Sequence, residues 1–146
     1  MKNNKIILFI SVLCFLIMSV SFTVMAVDKT SVISGLMFWI PLIGGVVTQF
    51  ILAGNYKRLA PYDVKTKRIG IISFCSNKLA TAADIFAAVS LIAFVISISV
   101  SKTSGEFINF VLLSVFVFLL CMHCILNGRI YYGIMKSGSN KNGRGK

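Results

Sequence analysis

Long apolar runs and shorter polar segments alternate along this chain. The apolar runs cover residues 6–26, 35–54, 79–100 and 107–127. A helix needs about 20 apolar residues to cross the roughly 30 Å hydrocarbon core of a bilayer, and each run has about that length. The pattern therefore predicts an all-α fold with four transmembrane helices.

The polar segments between the runs predict how these helices connect. The links after the first and third runs are short, so each should join two antiparallel neighbours. The middle segment, residues 55–78, is long and basic. We therefore expect a single membrane domain over residues 1–146: a four-helix transmembrane bundle made of two hairpins joined by a polar loop.

Two other segments complete this organisation. Residues 69–76 are apolar, but a helix from there to residue 100 would be about 48 Å long at about 1.5 Å per residue, too long for a span without strong tilt. We interpret residues 69–76 as a short interfacial segment. Residues 135–146 are rich in Ser, Gly, Asn and Lys, which predicts a flexible basic tail.

The first apolar run has a second interpretation, as a secretory signal peptide. A basic start precedes it, and Val24-Met25-Ala26 resembles a small-residue cleavage site. The run is longer than the usual 7–15 apolar residues of a signal, so we predict an uncleaved first helix. Cleavage would leave three spans with the same orientation.

The composition supports membrane residence. Hydrophobic residues make up 57% of the 146 positions and the mean hydropathy is +0.88. Charged residues make up 13%, about half the usual share of about 25% in soluble domains. We therefore expect a polytopic integral membrane protein that has the lipid bilayer as its surroundings, with no room for a second, soluble domain.

The net charge of +11 is distributed unevenly. Two basic residues precede the first run, six lie in residues 55–78 and five follow the fourth run, whereas the two short links carry only Lys29 and Lys102. Basic residues stay on the cytoplasmic side of membranes, so both termini and the middle loop should face the cytoplasm. The Ile-, Lys- and Asn-rich composition suits a bacterial plasma membrane.

The same basic residues suggest a lipid partner. Each Lys or Arg near a membrane surface gains about 1 kcal/mol from anionic lipids. Nucleic acid is not expected as a partner, because the charges sit at helix ends and no nucleic-acid motif accompanies them. The candidate contacts with anionic lipids at the cytoplasmic face are Lys57, Arg58, Lys65, Lys67 and Arg68.

Asp84 is the one charged residue inside an apolar run. An ionisable side chain there is costly and usually faces the bundle interior or water. His123, the single histidine, lies at a similar depth on the fourth run, whose helix should be an antiparallel neighbour of the third. We therefore predict an Asp84–His123 pair. The alternatives are an Asp that only suits the first turns of its helix and a proton or coupling-ion site.

Cys121 and Cys124 form a Cys-x-x-Cys around His123, and residues i and i+3 share a helical face. Such a pair can bind a soft metal, with Cys75 as a further ligand, or undergo redox chemistry. The motif resembles the fourth-helix pair of the vitamin K epoxide reductase type of membrane oxidoreductase. That family places its pair at the outer side and adds a second, loop-borne pair, which this sequence lacks. Buried inert thiols are the alternative.

The function expected from these features is contact with other membrane helices. Small residues such as Gly44 and Thr48 on the second run let another helix approach closely. No motif predicts a cofactor or an enzyme. We therefore expect a non-enzymatic accessory, regulatory or immunity-type protein, with a membrane-protein partner or a second copy of itself. The alternatives are a small transporter or channel subunit using Asp84 and His123, and a redox or metal protein using the cysteines.

Small multidrug exporters also have four short spans, and the chain is similar to them in this respect. That family relies on a glutamate in its first helix. Residues 6–26 contain no charged side chain, so the residue that matters for that activity is missing here.

Overall fold

A computed structural model describes the helical parts of the chain, namely residues 2–27, 32–59, 74–100, 106–128, 130–131 and 133–134. The four long helices are α1 (Lys2–Val27), α2 (Val32–Leu59), α3 (Lys78–Val100) and α4 (Glu106–Leu126). All four are long and apolar enough to cross a membrane. The prediction of an all-helical chain with four such helices is confirmed.

The first three helices are longer than the apolar runs that predicted them, and α4 has the length of its run. The clearest case is α2, which begins at Val32 and continues to Leu59, past the predicted end at residue 54. Pro41 lies inside this helix without ending it. The predicted interfacial segment reaches the described residues only at positions 74–76, which are not helical. The predicted tail, residues 135–146, lies outside them.

The helices pack in the order α2, α1, α4, α3. Extensive contact joins α1 to α2, α3 to α4, and α1 to α4, and other contacts between the described helices are marginal. Both predicted hairpins are therefore present, and α1 and α4 join them. Because α2 and α3 each pack mainly against one neighbour, the four helices form an open row rather than a closed bundle.

The core lies where the two hairpins meet. Phe15 and Met18 of α1 cluster with Met122 and Ile125 of α4, and Ala83 of α3 completes the cluster. The outer surfaces are apolar as well, with large hydrophobic side chains exposed along every helix. An exterior of this kind is typical of a multi-pass membrane protein, whose lipid-facing side chains are as apolar as its core.

Glycine lets α1 and α2 approach closely. A Cβ atom added at Gly45 would lie 2.9 Å from ring atoms of Phe15, and one added at Gly44 would lie 3.5 Å from the sulfur of Cys14. Gly45 therefore has no room for a side chain unless the Phe15 ring shifts. Thr48, the other small residue of the predicted contact, donates its hydroxyl to the Gly45 carbonyl of its own helix at 2.7 Å.

Uncharged polar side chains are paired across the helix contacts of α1. Gln49 donates to the hydroxyl of Ser11 at 2.7 Å between α2 and α1. Ser19 donates to the Ser114 carbonyl at 2.7 Å between α1 and α4, and the two hydroxyls lie 2.9 Å apart. Such pairs matter in an apolar environment, because a polar group without a partner there is costly.

Candidate functional site

The site is built at the junction of the α3 start and the α4 end. Asn77 caps α3, because its side-chain oxygen accepts the Ala80 amide at 2.9 Å and so satisfies a donor that the first helical turn leaves free. The Asn77 side-chain amide also donates to the Leu126 carbonyl at 2.9 Å. One side chain therefore joins the beginning of α3 to the end of α4.

Gly128 allows α4 to end in a tight turn. Its amide bonds the Ile125 carbonyl at 3.2 Å, and the preceding Asn127 amide bonds the His123 carbonyl at 3.0 Å. A Cβ atom at Gly128 would lie 3.0 Å from the Cys124 carbonyl oxygen and 3.1 Å from that of Ile125. Because both contacts are with backbone, a larger residue would disturb this turn, which sets the position of Asn127.

Asp84 and His123 meet across the α3–α4 contact. The His123 Nδ1 atom lies 2.7 Å from the Asp84 Oδ1 atom, and the two side chains are only 9% and 7% exposed. The small residues on the same face of α3, Ala80, Ala83 and Ala87, are buried and let α4 approach closely. The structure therefore brings the two predicted partners together.

Asn127 is the third member of this polar cluster. It is fully buried, and its amide nitrogen lies 3.3 Å and 3.4 Å from the two carboxylate oxygens of Asp84. Its side-chain oxygen accepts the Ser76 amide at 3.1 Å. Only an oxygen can accept that proton, so the bond orients the Asn127 amide group with its donors towards Asp84.

The segment preceding α3 supplies a backbone donor to the same carboxylate. The Cys75 amide donates to Asp84 Oδ2 at 2.8 Å. Cys75 has a φ of 54°, the one positive φ of a non-glycine residue among those described. A left-handed conformation is unfavourable for such a residue by about 1–2 kcal/mol. The segment therefore adopts a strained conformation while it is bonded to Asp84.

An aromatic contact covers the cluster. The Phe74 ring lies 4.8 Å from the His123 ring, centroid to centroid. Phe74 is itself well exposed, so it closes the cluster from the outside. Together, Asp84, His123 and Asn127 with residues 74–77 form what we call the polar junction.

The chemistry available at the polar junction is hydrogen bonding and proton exchange. Asp84 Oδ2 accepts a backbone amide, and Oδ1 accepts from His123 and Asn127, so the carboxylate is well satisfied. With Nδ1 of His123 directed at Asp84, that nitrogen carries the proton of the bond. A hydrogen-bonded pair of this kind holds the two helices together.

The predicted cysteine site is not assembled as a metal centre. Among the described residues there is no group of three or more His, Cys, Asp or Glu side chains that could hold a metal ion. Cys121 is half-buried, Cys124 and Cys75 are exposed, and all have free thiols. Although His123 lies between Cys121 and Cys124 in the sequence, its side chain is directed at Asp84.

The predicted lipid-binding residues lie outside the described side chains. Lys57 and Arg58 belong to the last turn of α2, whose backbone is described but whose side chains are not. The other three lie beyond the described residues altogether: Lys65, Lys67 and Arg68. Contact with anionic lipid therefore stays a prediction.

A groove of about 500 Å³ lies between α1 and α4, away from the polar junction. Apolar side chains such as Leu16, Val20 and Val115 line it, and Ser19 and Ser114 lie among them. Those two serines already bond each other. The groove therefore offers no charged group that could carry an ion or activate a nucleophile.

Sequence reasoning missed Asn127 and the backbone donors of residues 75 and 76. Asn127 could have been found, because it lies four residues after His123 and so shares its helical face. The backbone donors could not have been found, because the identity of a residue does not show where its backbone amide hydrogen points. Their role depends on how the segment before α3 folds back over α4.

Comparison with known proteins identifies no relative. No family model, no curated protein and no solved structure matches the chain. Its function must therefore be argued from the open row of four helices and the polar junction.

Proposed function

We propose that this chain is a non-enzymatic accessory, regulatory or immunity-type membrane protein that acts through helix contacts. One observation carries the proposal: α2 and α3 stand at the two ends of the row and each packs mainly on one neighbour. Their outward sides are broad and apolar, as shown by Phe50 on α2 at 73% exposure and Phe86 on α3 at 63%. A partner helix can add to either end without disturbing the row.

The surface offered to a partner differs from the one first expected. Gly45 of α2 packs against Phe15 and Ala83 of α3 packs against α4, so these small residues are already engaged within the chain. The outward sides carry large side chains, such as Ile40 and Ile92, instead. A partner would therefore pack through interlocking large residues rather than by close backbone approach.

The proposal includes a location and an orientation. The protein resides in a bacterial plasma membrane with both termini and residues 55–78 in the cytoplasm, where the basic residues also contact anionic lipid. The four candidate spans and the uneven distribution of Lys and Arg support this. On this orientation the polar junction lies near the cytoplasmic side.

A photo-crosslinking experiment in native membranes tests the helix contacts. A benzophenone analogue of phenylalanine replaces Phe50, Phe86 or, as the buried control, Phe15. We expect an adduct of defined mass from one of the two exposed positions and none from Phe15. An adduct of twice the chain mass identifies a second copy. If neither exposed position gives a protein adduct and the chain is a monomer in nanodiscs, the proposal fails.

The orientation has its own test. Single cysteines replace Lys29, Lys102 or Lys65 in a variant without native cysteines, and intact cells receive a membrane-impermeant maleimide. Positions 29 and 102 should react and position 65 should react only after lysis. The reverse pattern would overturn the orientation while leaving the helix contacts untouched.

A second candidate is a small transporter or channel subunit that uses Asp84 and His123. The observation in its favour is the nearly buried Asp84–His123 contact inside two candidate spans, a place where ionisable residues often mark ion or proton paths. Proteoliposomes containing the purified protein would be assayed for proton and cation flux. Flux that Asp84→Asn abolishes would favour this function over the first; its absence at every ion gradient would remove it.

The redox or metal alternative has the least support. Thiol titration and metal analysis of the purified protein, with Cys121→Ser as control, would decide it. Bound metal that disappears in Cys121→Ser would revive this alternative.

A further inference from the structure

We propose that the polar junction is a carboxylate-dependent latch that fixes residues 74–77 onto the end of the α3–α4 hairpin. The inference concerns how the fold holds one segment in place, and it stands independently of the proposed function. It rests on three hydrogen bonds between the segment and the hairpin and on the strained conformation of Cys75.

The connections bind successive residues of the segment. Cys75 donates its amide to Asp84 on α3, and Ser76 donates its amide to Asn127 after α4. Asn77 then donates its side-chain amide to the Leu126 carbonyl. The last two tie the segment to the end of α4, and the first ties it to the interior of α3.

Asp84 is central to this arrangement because its carboxylate is the shared hydrogen-bond acceptor. Its carboxylate accepts from Cys75, His123 and Asn127, and Asn127 in turn holds Ser76. Hydrogen bonds to a charged group contribute more to stability than bonds between neutral groups. The position of two consecutive backbone amides therefore depends on one negative charge.

Strain makes the latch reversible. Cys75 adopts a φ of 54°, which a residue with a side chain adopts only when its surroundings hold it there. Without the bond to Asp84, the segment gains by returning to an ordinary conformation. The hydrogen bond to the Asp84 carboxylate thus favours the bound conformation of the segment, and the unfavourable backbone conformation of Cys75 favours its release.

Amide hydrogen exchange tests the proposal, because the latch holds two particular amides. The full-length protein in nanodiscs is compared with Asp84→Asn, which keeps the shape of the side chain and removes its charge. We expect the amides of Cys75 and Ser76 to exchange at least about tenfold faster in this variant. Ile85→Ala, an exposed control position beside Asp84 on α3, should leave both rates unchanged.

Two further variants keep the test decisive. Rapid amide exchange throughout α1 and α2 would show that Asp84→Asn does not fold. In that case Asn127→Ala serves instead, and it should increase the exchange rate of the Ser76 amide more than that of the Cys75 amide. Cys75→Gly relieves the strain and should slow exchange of its own amide about fivefold or more relative to Cys75→Ala. Wild-type exchange in Asp84→Asn, or equal exchange in the Gly and Ala variants, would overturn the proposal.

Discussion

The two hairpins of this protein are held together by different chemistry. In the first, α1 and α2 approach through glycine, and the polar contact between Ser11 and Gln49 is uncharged. In the second, α3 and α4 approach through alanine, and the polar contact is the hydrogen bond between His123 and the Asp84 carboxylate. Small residues let the helices approach closely in both hairpins, but of these two polar contacts only the second includes a carboxylate.

The difference follows the position of each contact. Ser11 and Gln49 lie well inside their helices, where a charge would be most costly. Asp84 lies in the second turn of α3 and His123 in the last turn of α4, close to polar segments that can supply backbone donors. Charge is therefore tolerated where the chain can surround it, and it gives the second hairpin a contact that a small change of residue can break.

The largest effect should come from removing the charged partner. Asp84→Ala leaves His123 and Asn127 without their shared acceptor, and breaking a buried pair in this way costs about 3 kcal/mol. The free energy of unfolding in mixed micelles, followed by circular dichroism, measures it. Ile85→Ala, at an exposed neighbouring position, is the control and should cost less. Equal losses would mean that the Asp84–His123 contact adds nothing to the stability of the second hairpin.

The stability of the first hairpin should be most sensitive to a methyl group added at Gly45. Gly45→Ala places a Cβ atom 2.9 Å from the Phe15 ring and should cost about 1–2 kcal/mol through overpacking. Gly54→Ala, in the same helix but with nothing within 4 Å, should be neutral or stabilise by up to about 1 kcal/mol. Similar effects of the two substitutions on thermal unfolding would show that close packing of α1 on α2 is not what holds this hairpin.

The coupling between the charged partners should be measurable separately. In a double-mutant cycle, Asp84→Asn and His123→Gln should give an interaction energy of about 1 kcal/mol, because the two side chains touch. A cycle between Asp84→Asn and Gln49→Leu, on the other hairpin, should be additive. Additivity in both cycles would show that the Asp84–His123 contact does not stabilise the second hairpin.

The smallest effect is expected where the two hairpins join. Ser19→Ala removes the α1–α4 hydroxyl contact with Ser114 and should cost about 0.6 kcal/mol, the average for hydrogen bonds between membrane helices. Unfolding in mixed micelles measures it, with Ser99→Ala, an exposed serine bonded within α3, as control. A cost above those of both Gly45→Ala and Asp84→Ala would show that the contact between the hairpins contributes more to stability than the contact within either one.

Much of the fold could be predicted from the sequence. The number of helices follows from four apolar runs, because a spanning helix satisfies its own backbone and depends only on length and apolarity. Of the site, the meeting of Asp84 with His123 could be anticipated from their depths on two adjacent helices. Asn127 was within reach by its spacing from His123, but the amides of residues 75 and 76 were not.

The order in which the helices pack was decided by tertiary structure alone. The apolar runs look alike, and nothing in their composition shows that α1 contacts α4 or that α2 and α3 stand at the ends of the row. The packing order depends on the shapes of the contacting surfaces. Gly45 leaves space for the Phe15 ring, and Gly128 permits the tight turn that places Asn127 within reach of Asp84. Sequence periodicity determines which segments are helices, because that is a local property; which faces meet depends on contacts between residues far apart in the chain.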